Sequence, residues 1–177
     1  MSPETLIGLA NLGRPRRPGG ARAPAAEAVL PDAATATRQL GSLLPRPVTE
    51  ADLDRVRQVR DAAAGAAGAL LRGGTPDSGT LSVLNGLASG ACARAEVVVS
   101  QGTLARRLVW DDTSAAAHLA RKVIDELASL DPARLRECAR SACDLLFYDT
   151  TRSRTRRWHA EDPCGWRERQ QARRGRS

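Results

Sequence analysis

Apolar residues recur along the first 130 positions mostly at the spacing of helices. "ETLIGLAN" (4–11) predicts a short apolar helix, and the proline and glycine in "LGRPRRPGGARAP" cannot continue it, so residues 12–31 read as a mobile basic loop. From Asp32 to Leu43, Ala33, Ala36, Leu40 and Leu43 share one helical face. A clearer helix spans 50–72. Thr49 can cap it with Asp52 three positions on, Val48 and Leu53 can form a hydrophobic staple, and Gly73-Gly74 ends it. Its buried stripe is expected to be Leu53, Val56, Val59 or the stem of Arg60, Ala63, Ala67 and Leu70. Residues 77–90 predict a third helix carrying Leu81, Leu84 and Leu87. In "AEVVVSQGTLARRLVW" (95–110) two β-rich runs flank "SQGT", which predicts a hairpin. A last long helix, 114–130, presents Leu119, Val123, Ile124, Leu127 and Leu130 before Asp131-Pro132 interrupts it.

The apolar residues, 42% of the chain, are mostly alanine and leucine, and aromatic residues supply only 3%. That composition favours helices packed through small side chains. His118 shares a face with Lys122 and Asp125 and reads as a solvated surface residue. Cys92, among alanines, reads as a small buried hydrophobe. The body contains no Gly-rich phosphate loop and no paired carboxylates at a catalytic spacing, so an enzyme is not expected.

Charge divides the chain unequally. Residues 134–177 carry 12 Lys/Arg against 6 Asp/Glu, a net of +6, while residues 1–133 carry 15 against 14, a net of +1. A general arginine bias would have made the whole chain basic, so the asymmetry points to a polyanion partner for the last segment. No apolar run approaches the roughly 20 residues of a membrane span, and the amino terminus lacks the pattern of an export signal. A cytoplasmic protein with no membrane partner is expected.

Three of the four cysteines lie in the same basic segment as His159, in the pattern C-x4-C-x15-H-x4-C formed by Cys138, Cys143, His159 and Cys164. Two short pairs joined by a longer segment can wrap one cation. Three thiolates and one imidazole complete a tetrahedral structural Zn2+ site with no open position for catalysis. Four of the five aromatic residues fall in this window. Leu145, Phe147 and Trp158 are expected to build a small core around the metal, leaving Tyr148 and Trp166 exposed. Arg152, Arg154, Arg156 and Arg157 lie between the ligand pairs. Arg167, Arg169, Arg173 and Arg174 follow on a helix expected to start at Cys164. Arginine suits bidentate contacts to phosphate or guanine, and Trp166 could stack on a base.

The segment "LRECARSACDLLFYDTTRSRTRRWHAEDPCGWRERQQARR" resembles the CGNR zinc finger, a treble-clef-like module named for the tetrapeptide at its last ligand. That family usually follows a helical domain with a β-hairpin called ABATE. Residues 5–130 match its order of elements loosely, and Asn11 matches the asparagine of its early Asn-Thr segment. The resemblance implies an α+β chain, with a mainly helical ABATE-like domain and β-hairpin at 1–131 and a treble-clef-like finger with a basic C-terminal helix at 132–177. It also implies a stress-responsive bacterial transcription regulator, associated with the nucleoid. Two positions depart from the family: His159 replaces the third cysteine, and Trp166 replaces the asparagine of the tetrapeptide. Arg167 is the family's arginine.

The reading that follows is a DNA-binding regulator. The finger would contact double-stranded DNA through Arg152, Arg154, Arg156, Arg157, Trp166, Arg167, Arg169, Arg173 and Arg174. The body would sense a small-molecule or protein effector or form a homodimer. The alternative is an RNA- or ribosome-associated module or a protein-interaction finger, since such modules serve all these uses.

Overall fold

The computed structural model describes residues 2–14, 29–90, 92–110, 114–141 and 143–174. Most of the basic loop read at 12–31 therefore lies outside the described residues, but its two ends are anchored. Arg14 Nε donates to the carbonyl of Ala10, and Leu30 is fully buried.

The elements in chain order are α1 (Glu4–Asn11), α2 (Ala33–Leu40), α3 (Glu50–Leu71), α4 (Ser78–Ala88), β1 (Ala93–Ser100), β2 (Thr103–Trp110), α5 (Ala115–Ser129), β3 (Leu135–Glu137), β4 (Leu146–Tyr148) and α6 (Trp166–Arg174). The α+β architecture expected from the sequence is present. Side-chain oxygens of Asp32, Asp77 and Ser114 accept from the first-turn amides of α2, α4 and α5, as capping requires. At the start of α3 the Asp52 carboxylate reaches back to the Thr49 N–H and hydroxyl, and Val48 and Leu53 are both buried.

The core lies where α1, α3, α4 and α5 pack on one another. Val56, Val59, Ala63, Ala67, Leu119 and Val123 are all fully buried, the small-residue packing that the composition favours. Helix α1 begins without a side chain of its own to satisfy its first amides. Instead the buried carboxylate of Glu126 on α5 accepts from Thr5 N at 3.0 Å and Leu6 N at 2.7 Å.

Three expectations fail on tertiary grounds. His118 is 7% exposed rather than solvated, because α5 is covered on the face that carries it. Cys92 is exposed, since the chain leaves the core before β1. Tyr148 is half-buried, with its hydroxyl accepting from Asp131 N at 3.0 Å.

Strands β1 and β2 pair antiparallel from Ala93↔Trp110 to Ser100↔Thr103, joined through Gln101 (φ 50°) and Gly102 (φ 77°). Two successive positive φ values suit the right-handed twist of a two-residue hairpin. Strands β3 and β4 form a second, three-residue ladder, Leu135↔Tyr148 to Glu137↔Leu146. Leu135 and Leu146 insert into the helical core, so the C-terminal segment is built onto the body.

Candidate metal centre and basic surface

Cys138 and Cys143 sit in the connection between β3 and β4. His159 and Cys164 approach from the segment before α6, and the four donor atoms lie within 4.8 Å of one another. The Cys143 N–H donates to the Arg140 carbonyl and the Cys138 N–H to the Leu145 carbonyl, which tightens the knuckle. His159 Nδ1 lies 3.4 Å from Cys143 Sγ and 3.7 Å from Cys164 Sγ. An ideal tetrahedral site, with Zn–S near ~2.3 Å and Zn–N near ~2.0 Å, separates sulfur from nitrogen by roughly 3.5 Å. The donor set therefore fits a single zinc ion, held by three thiolates and the Nδ1 of His159.

The three cysteines are buried and half-buried Leu145 and Trp158 pack against them. Burial, reinforced by the neighbouring Cys138 and Cys164, pushes the Cys143 thiol up to about 12. A coordinated thiol is deprotonated outright, so metal binding here displaces protons. The expected companion core differs in one respect. Phe147 is buried away from the cysteines, and the Arg156 guanidinium covers its ring at 5.2 Å.

Gly165 has a steric reason. A Cβ there would stand 2.6 Å from Glu161 Oε2 and 2.9 Å from the Trp158 ring, closer than packed atoms approach. The backbone beside the last ligand is thus pressed against the indole that shields the cysteines. A separate kinked turn, Glu161–Gly165, which contains the cis Asp162-Pro163 bond, precedes α6. The final helix therefore starts at Trp166, two residues later than expected.

Asp149 received no role from the sequence, although an aspartate two residues before a threonine is the signature of a side-chain-closed turn. It is fully buried. Its Oδ1 accepts from Thr151 N at 2.9 Å and Thr151 Oγ1 at 2.6 Å, and its Oδ2 accepts from Arg156 N at 2.9 Å. The Thr151 hydroxyl leads the interactions that hold its carboxyl below the usual range. Asp149 thereby shapes the loop that carries Arg152, Arg154, Arg156 and Arg157.

The basic residues fall into two groups. Arg156 is half-buried and donates to the carbonyls of Trp158 and His159; Arg154 pairs with Asp131 at 3.2 Å; Arg169 pairs with Glu161. Arg157 is exposed but lies over the Trp158 ring at 5.3 Å. Arg152, Arg167, Arg173 and Arg174 are exposed and pair with no acid among the described residues. Trp166 is 53% exposed, as expected. A cavity of about 550 Å3 at the metal site is lined by the ligands Cys143, His159 and Cys164 together with Arg140, Leu145, Pro163 and Arg167. Arg140, overlooked in the sequence, is held there by Glu168 at 3.9 Å.

Residues 134–177 match the family model of the CGNR zinc finger. The match starts at β3 and leaves the helical body outside it. No curated protein matches the chain. Among the described residues no helix is long and apolar enough to cross a membrane. A zinc finger of this kind is compatible with nucleic-acid or protein binding.

Proposed function

We propose that the chain is a DNA-binding transcription regulator that acts by binding rather than by catalysis. The observation that carries this reading is the set of exposed arginines that pair with no acid among the described residues, Arg152, Arg167, Arg173 and Arg174, around a four-donor metal site. Guanidiniums without an acidic partner meet phosphate with no ion pair to break, and counterion release supplies most of the affinity. The zinc ion would fix the loop and α6 in one relative position, so that cations from both reach one duplex. Arg156 holds the loop, and Arg154 and Arg169 keep the finger's shape.

The helical body is the regulatory part, a role consistent with its ABATE-like order of elements. An effector or partner that shifts α1 acts on the finger through Asn11 and Arg14. Asn11 is bonded to Leu146, and Arg14 Nη1 donates to Glu137 at 3.0 Å and to the Asp144 carbonyl at 2.9 Å. Stress-responsive action at the bacterial nucleoid completes the reading.

Fluorescence anisotropy of the zinc-loaded chain with a mixed-sequence duplex across a salt series tests it. Each neutralised phosphate contributes about −0.9 to the slope of log affinity against log salt, so six contacts weaken binding about a thousandfold between 50 and 200 mM. A flat salt response, or affinity unchanged after chelation, overturns the proposal. The exposure of Trp166 favours a second reading, single-stranded RNA bound by stacking. That reading requires single strands to be bound in preference to the duplex and Trp166→Ala to weaken that binding.

A further inference from the structure

The hairpin β1–β2 carries an exposed apolar face. Residues paired across an antiparallel ladder share a face. The register Val99↔Leu104, Val97↔Arg106 and Ala95↔Leu108 therefore places Val97, Val99, Leu104 and Leu108 together. Their exposures are 75%, 74%, 78% and 41%. Among the described residues, the hairpin's one extensive packing partner is its own other strand. The opposite face differs: Val98, Ala105 and Val109 are half-buried, and Glu96 accepts from Arg94 at 3.2 Å and Arg107 at 2.7 Å. An isolated two-stranded hairpin is marginal in water, so this one needs a third surface.

We propose that the face of Val97, Val99, Leu104 and Leu108 joins the chain to a second copy of itself about a two-fold axis. Chemistry selects the occupant. Among the described residues of the ladder, Arg106 is the only charged one on this face, which suits neither a polyanion nor an acidic peptide. It suits an equally apolar surface, and the same face of a second copy is one. The charge excess that would repel a second copy resides in residues 134–177, while residues 1–133 carry a net of only +1. The area is also sufficient. From these fractional exposures the four residues leave roughly 400 Å2 accessible, within the range of functional apolar patches. With interfaces about 57% apolar on average, a dimer interface built around this patch would cover roughly 700 Å2 per copy. Stable dimers bury about 600–1,000 Å2 per partner. The inference does not depend on the nucleic-acid reading, although a dimer would carry two fingers.

Sedimentation velocity on the full zinc-loaded chain from about 1 to 100 µM decides the matter. The expected result is a species of twice the 18.9 kDa chain mass, converted by Leu104→Glu or Val97→Glu to the single mass with at least a ~100-fold weaker dissociation constant. Arg107→Gln, on the opposite face, leaves the dimer intact. Hydrogen exchange on the unmodified protein gives a second measurement free of folding artefacts, with amides of 93–110 gaining protection as concentration rises. A single-mass species at 100 µM, or a dimer that survives both glutamate substitutions in folded protein, overturns the proposal. So does a monomer whose binding to anionic phospholipid vesicles is lost on Leu104→Glu, which would assign the face to a lipid surface. Loss of dimerisation with DNA binding still present, or the reverse, separates this inference from the proposed function.

Discussion

The side-chain amide of Asn11 pairs twice with the main chain of Leu146: Nδ2 donates to its carbonyl at 2.9 Å and Oδ1 accepts from its N–H at 2.7 Å. Asn11 ends α1 and Leu146 opens β4, so one residue of the body occupies the place of a neighbouring strand beside the zinc-binding segment. Asn11→Ala leaves both groups unsatisfied in a partly buried site. It is expected to cost about 1–3 kcal/mol in denaturant unfolding, and zinc should be lost faster to a competing chelator. Unchanged stability and chelation rate would show that the contact couples nothing.

Because Leu135 and Leu146 lie in the body's core, metal loss should be felt throughout. Cys143→Ser is expected to abolish the one bound zinc per chain by elemental analysis and to lower the single calorimetric transition of the whole protein. Two separate transitions, one unaffected by the metal, would contradict this continuity.

Gly165→Ala places a methyl group against the Trp158 ring and Glu161. Overpacking of this kind costs about 1–3 kcal/mol, and the displaced indole should reduce zinc affinity, measurable by competition with a chromophoric chelator. Equal affinity for both proteins would mean that the ring moves aside freely.

Burial, and secondarily the nearby Lys122, pushes His118 below the ordinary histidine value. The unfolded chain then binds the proton more readily than the native one. Stability is fully present above about pH 6.5 and declines as pH falls from there toward the lower native value. Urea midpoints between pH 7.5 and 6 should fall more steeply for the wild type than for His118→Asn. Parallel slopes would remove His118 from the account.

Two arginines separate folding from binding. Arg156→Ala should lower thermal stability, because the guanidinium joins Phe147 to the carbonyls of Trp158 and His159. Arg167→Ala should leave the melting temperature unchanged, weaken duplex binding, and reduce the magnitude of the salt slope by about 1. The opposite assignment of effects would invert the division of the basic residues.

The features legible in the sequence were those set by short-range geometry or by donor chemistry. Helical spacing located α3 and α5, two β-rich runs around Ser100–Thr103 located the hairpin, and the spacing of Cys138, Cys143, His159 and Cys164 identified a single soft-metal site. Each depends on residues a few positions apart, or on a ligand set whose chemistry excludes other uses. What only the tertiary structure decided was which faces are covered and which charges are occupied. His118 is buried and Cys92 exposed because of elements distant in sequence. Arg156 and Arg152, alike as residues, differ because buried Asp149 folds one inward through its backbone and leaves the other in solvent. Leu146 joins the body rather than the metal's own core because Asn11, 135 positions earlier, receives its strand edge. Burial and pairing are properties of facing surfaces, and those surfaces exist only once the chain has folded.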